Sequence, residues 1–162
     1  MLPPPPVLAL AATLAQRALS RGAHPPTAVR ALAATSIAMA SGALAAAAAR
    51  EFGRVGTTKD PMHPDRASTL VTAGANAVSR NPMYVGLVGV LVANAVRRGS
   101  WKALLPAVAF TLVVDRLQVA AEESAMLATF GADYEAYRAA VPRWLGPTSI
   151  TAARGSVPSA DR

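Results

Sequence analysis

Cysteine is absent from this 162-residue chain, and histidine occurs only at His24 and His63. That excludes disulfides, a thiolate nucleophile and cysteine-ligated metal, and two imidazoles in separate loops do not make a metal centre. Aromatic residues are scarce at 5% and charged residues at 15%. The net charge of +7 therefore lacks the aromatic interleaving of a nucleic-acid surface. The basic residues flank apolar runs instead, and no nucleic-acid partner is expected. Acidic residues are missing altogether before Glu51. A Ser-His-Asp set and a phosphate-cradling glycine loop are missing too, so hydrolysis and nucleoside triphosphate chemistry lack their parts.

Apolar residues supply most of what is present. They make up 52% of the chain, with a mean hydropathy of +0.31, too apolar for a soluble domain of this size. The expected fold is all-α, a membrane bundle of about four transmembrane helices in one domain over residues 1–145, with a helical C-terminal segment in the cytoplasm. The spans are read at 5–19, 30–49, 83–97 and 101–117. No basic n-region precedes Val7, so the first span is expected to be retained and not cleaved as a signal peptide, with Pro3 to Pro6 outside it or in its first turn. The second span is alanine-rich, and Ala38, Gly42 and Ala46 would admit a neighbouring helix at close range; compositional bias explains the same pattern. The third and fourth apolar runs hold only about fourteen residues, roughly 21 Å of helix against a core near 30 Å, so they either draw in polar ends or form a short hairpin.

Polar residues concentrate at particular places. Arg50 to Ser79 reads as a long polar loop, of the kind that carries function. Arg80-Asn81-Pro82 breaks the chain directly before an apolar run, offering charge, amide and carbonyl groups on a fixed backbone. Asp115-Arg116-Leu117-Gln118 and Glu122-Glu123 close the other end of the same apolar region. With α-helical spacing Asp115, Gln118 and Glu122 share a face, and one of Glu122 and Glu123 reaches a ligand while the other faces solvent. A solvated helix end is the alternative; against it, ionisable residues at a bundle edge are costly and mark sites. Asp133 is read as the cap of a short helix carrying Tyr134 and Tyr137, Pro142-Arg143-Trp144-Leu145 as an interfacial anchor, and 146–162 as a disordered tail.

Four spans put the polar clusters, all acidic residues and ten of the sixteen Lys and Arg on one side. Arg17, Arg21, Arg30, Arg97, Arg98 and Lys102 fall on the other. The positive-inside rule then makes the cluster-bearing side cytoplasmic, in the cell inner membrane. Methyl transfer suits such sparse equipment, because a sulfonium donor is already activated and the protein need only bind it, align an acceptor and exclude water. A non-enzymatic membrane protein or small transporter subunit is the competing class. It would spread polar residues along the span interiors, whereas here they cluster at one edge.

The order GTTKDP, LVTAGAN, RNPMYVG, EESAML, FGADYEAY and VPRWL, between Phe52 and Leu145, resembles the isoprenylcysteine carboxyl methyltransferase family, itself related to phospholipid methyltransferases. The resemblance implies an integral membrane enzyme that uses S-adenosylmethionine, with an enclosed cofactor pocket and a small or lipid-like methyl acceptor entering from the membrane lipids. It puts the cofactor at Ser68, Thr69, Leu70, Val71, Asn76, Asn81, Pro82, Met83, Tyr84 and Glu122. Arg80 and Arg116 would support the pocket or the acceptor. Prenylcysteine enzymes would carry tyrosine at Asn76, histidine at Asn81 and a carboxylate-binding arginine at Gln118. An acceptor other than a prenylcysteine, such as a phospholipid amine or a small thiol, is therefore open.

Overall fold

Proline sets the start of two helices. The computed structural model describes residues 3–55, 69–149 and 151. Helix α1 (Pro5–Leu19) begins behind Pro4, with prolines in its first two positions, where the missing amide protons would have had no partner. Helix α4 (Pro82–Arg98) likewise starts on a proline. It stops at Gly99, whose φ of 62° closes the end with bonds from its amide to the Ala95 and Val96 carbonyls. Between them lie α2 (Ala28–Val55) and the short α3 (Ala75–Val78). A 3-10 turn (Trp101–Ala103) leads into α5 (Leu104–Val113), a π turn (Val114–Val119) and α6 (Ala120–Phe130). Gly131, at φ 52°, separates α6 from α7 (Ala132–Ala140). The fold is all-helical, with no strand among the described residues.

Several boundaries differ from the sequence expectation, for identifiable reasons. Helix α2 does not stop at Arg50 but runs on to Val55; its added turn is polar yet helical, with Glu51 and Arg54 paired at i, i+3. The loop expected from Arg50 is thus shorter and contains α3, while residues 56–68 lie outside the described ones. The fourth apolar run is no fourteen-residue segment. Residues Trp101–Phe130 form a continuous 30-residue helical stretch whose most apolar 18 residues have a mean hydropathy of 1.6, and Pro106 falls in the first turn of α5, where its missing amide proton is tolerated. The π turn inside it changes the residues per turn, so the α-helical spacing that aligned Asp115, Gln118 and Glu122 does not apply through it. Asp133 is not the α7 cap; Gly131 holds that position and Asp133 lies in the first turn.

The chain divides into two compact units, Met1–Ala43 with Gly86–Ala120, and Leu44–Val85 with Ala121–Arg162. In the first unit α1 packs on α5 and the 3-10 turn around Leu91, Ala103, Phe110 and Val114. Gln16, fully buried, ties three segments together: its amide donates to the Leu91 and Ala103 carbonyls at 2.8 and 2.7 Å and accepts from Asn94 at 2.7 Å. Such bonds hold helices together where lipid supplies no hydrophobic drive between them. α2 and α4 meet at Gly89, where a Cβ would lie 2.0 Å from the Ser41 hydroxyl. Among the described residues, every large exposed apolar side chain except Leu145 belongs to this unit, Leu10, Leu32, Met39 and Val108 among them. An apolar exterior of that extent fits a lipid environment. Two helical stretches, Ala28–Arg54 and Trp101–Phe130, are long and apolar enough to cross a membrane. α1 and α4, with 15 and 17 residues, are shorter than the usual span of about 20.

Candidate active site

The second unit gathers the polar residues. α3 ends at Val78 and Ser79 is extended, with φ −148° and ψ 145°. Pro82 disfavours helical geometry at Asn81, so 79–81 run as a short extended segment before α4. That segment pairs with 142–143. The Arg80 amide donates to the Pro142 carbonyl at 2.9 Å, and the Ser79 hydroxyl and the Asn81 side-chain amide both donate to the Arg143 carbonyl at 3.0 Å. Three bonds in three residues fix the Arg-Asn-Pro break. On its far side, the Ser149 hydroxyl donates to the Val78 carbonyl, so part of the segment expected as a tail is docked here.

The pairing carries two arginines to one carboxylate. Arg80 Nη1 stands 2.8 Å from Glu123 Oε1, while Arg143 forks onto the same group, Nε to Oε1 at 3.0 Å and Nη2 to Oε2 at 2.5 Å. The Glu123 and Arg80 side chains are only 10% and 11% exposed, against 35% for Arg143. A bidentate arginine and a second cation compensate a carboxylate drawn out of water. Glu123 thus does not face solvent, and Arg143 is a partner in this cluster in place of a purely interfacial anchor. One residue earlier, Glu122 accepts a 2.6 Å hydrogen bond from the Tyr84 hydroxyl. Neighbouring carboxylates are thereby fixed by different groups: Glu123 by cations, Glu122 by a phenol from the first turn of α4.

Two further tyrosines close the cluster. Tyr137 donates to the Asn76 carbonyl at 2.7 Å, and its ring lies 6.1 Å from that of Tyr134. Burial pushes the Tyr137 phenol well above its ordinary range, with Tyr134 adding to the effect. Burial also raises Tyr134, helped by the negative charge of Glu123 and opposed by Arg80. Both rings therefore act as neutral hydrogen-bonding groups at ordinary pH. Asn76 is 3% exposed, and its side-chain nitrogen is buried without a hydrogen-bond partner. A buried amide donor left unmatched costs stability, which points to a ligand acceptor at that position. Arg80 also lines an open hollow of about 390 Å³ with Glu135, Arg138 and Ala139.

Of the residues singled out in the sequence, Arg80, Asn76, Asn81, Pro82, Met83, Tyr84 and Glu122 all lie in this unit, Asn76, Pro82 and Tyr84 buried and the others partly so. Thr69 is exposed, Leu70 partly covered and Val71 buried; Ser68 lies outside the described residues. Arg116 and Gln118 belong to the first unit, where Arg116, 74% exposed, pairs with Asp115 at 3.5 Å. Sequence reasoning missed the roles of Ser79, Glu123 and Arg143. The only signal was the VPRWL run, whose proline-arginine pair suggested a boundary but not its partner 20 residues away.

Residues 29–133 match the phospholipid methyltransferase family, the family that includes the isoprenylcysteine carboxyl methyltransferases. An uncharacterized protein of Haemophilus influenzae is 36% identical over 63 residues, which is 39% of this chain and the relative's full length. No solved structure matches the chain.

Proposed function

We infer the activity from one premise, that the chain belongs to the phospholipid methyltransferase family: it is a membrane methyltransferase that takes its methyl group from S-adenosylmethionine. The observation that carries the cofactor assignment is the buried, unmatched amide of Asn76, in the same compact unit as the Tyr84–Glu122 pair. S-adenosylmethionine supplies, when bound, a methyl group already activated on a sulfonium, together with ribose hydroxyls, an ammonium and a carboxylate. Those groups fit the residues present. Glu122, oriented by Tyr84, accepts from hydroxyl or ammonium donors. Asn76 gives its unmatched N–H to an acceptor. The segment 69–71 and the first turn of α4, Asn81 to Tyr84, complete the pocket, and Ser68 is assigned to it from sequence alone. Arg80, held by Glu123 and facing the hollow, positions the acceptor; Arg116 and Gln118 are assigned to the acceptor from sequence alone.

The acceptor is small or lipid-like: a prenylcysteine carboxylate, a phospholipid amine or a small thiol. Four spans, an inner-membrane location and a cytoplasmic active site complete the proposal. Incubating the purified protein with methyl-labelled S-adenosylmethionine and a total lipid extract tests it directly. Label transferred to an extractable product by the wild type, and lost in Glu122→Ala, supports the reading. Transfer unaffected by that variant overturns the role of Glu122.

A further inference from the structure

The first unit carries a second polar feature that methyl transfer does not use. Its two segments contain a single acidic residue, Asp115, and that one is paired with Arg116. The cations Arg17, Arg30, Arg97, Arg98 and Lys102 have no such partner in sequence near them, and the fold draws them together. Arg98 Nη1 donates to the Ser20 hydroxyl at the end of α1 at 3.1 Å. Gln16 bonds the Ala103 carbonyl, next to Lys102. The Arg30 guanidinium lies over Gly99, so close that a Cβ there would sit 1.5 Å from its Nη1. The end of α1, the start of α2, the end of α4 and the 3-10 turn therefore form one cationic end.

Arg98 is its centre. The charges of Arg97 and Arg17 both act on it, and its Nε is buried with no hydrogen-bond partner. Two further positive charges acting on a guanidinium with an unmatched N–H are unfavourable unless an anion joins them. Phosphate oxygens match a guanidinium fork. Trp101, 69% exposed at the same end, is the kind of residue that marks headgroup level. We propose that this end binds the headgroup phosphate of an anionic phospholipid, seated on Arg98 with Arg17 and Arg97. Clustered cations at a membrane surface attract anionic headgroups electrostatically on whichever side they stand.

Native mass spectrometry of the detergent-purified full chain, offered equimolar phosphatidylglycerol and phosphatidylcholine with identical acyl chains, tests the site. Phosphatidylglycerol should be retained about tenfold more than phosphatidylcholine, and Arg98→Gln or Arg17→Gln should each cut that ratio by about threefold or more. Arg17 is exposed and makes no fold-critical bond, so its variant carries the test if Arg98→Gln disturbs the Ser20 contact. Arg54→Gln, which removes an exposed cation of the other unit, should leave the ratio unchanged. Equal retention of the two lipids, or an equal loss in Arg54→Gln, would each overturn the proposal.

Discussion

Replacing Glu123 by glutamine should be the most damaging single change in the polar cluster. The substitution keeps the shape and one acceptor oxygen but leaves Arg80 and Arg143 facing each other without a counter-charge. Glu123 and Arg80 are about nine-tenths buried, and breaking a buried pair by removing one partner costs about 3–5 kcal/mol. The surviving amide oxygen can satisfy one arginine, which places the expected loss near 3 kcal/mol, roughly a hundredfold in the folding equilibrium. Arg143→Gln should cost far less, about 1 kcal/mol, because Arg143 is 35% exposed and partly screened, and Glu123 keeps Arg80. The double variant should fall short of the sum of the two. Equilibrium unfolding in mixed micelles, followed by circular dichroism, gives all three values. A Glu123→Gln loss no larger than that of Arg143→Gln would refute the view that this carboxylate holds the site together.

Asn76→Ala removes an amide whose nitrogen has no partner, so the ligand-free protein should change by less than about 1 kcal/mol, while affinity for S-adenosylmethionine falls; a large loss of stability with affinity intact would show the side chain to be structural. Tyr137 is protonated in the fold to a higher pH than in the unfolded chain. Its contribution is complete below the unfolded phenol value near 10 and is lost as pH rises beyond it, so thermal stability should drop above about pH 10 and drop less steeply in Tyr137→Phe. Gln16→Leu removes two buried bonds and one partly buried one and should cost about 2 kcal/mol in micelles, at the size typical of interhelical bonds in membranes; a neutral result would mean that packing alone joins α1 to α4 and α5.

Local chemistry made part of this fold readable. Pro82 announced both the start of α4 and the extended geometry of the residue before it, and the apolar runs announced helices. The end of α2 was hidden because Glu51, Gly53 and Arg54 look like loop residues, although their charges pair along a helix. The π turn was hidden because a hydrophobic pattern assumes one period throughout. At the site, Arg80, Asn76, Tyr84 and Glu122 stood out through the company they keep in the sequence. Glu123 and Arg143 acquire meaning only from contacts over 20 and 43 positions, and Gln16 from bonds 75 and 87 residues away. Spacing along one helix carries no trace of such partners.

Isothermal titration of the detergent-purified protein with S-adenosylmethionine and S-adenosylhomocysteine, alongside folded Glu122→Ala, tests the central claim most directly. Saturable binding of both ligands by the wild type, abolished in the variant, is the expected result. A folded wild type that binds neither, or a variant that binds as the wild type does, would contradict the assignment of the cofactor to the Tyr84–Glu122 cluster.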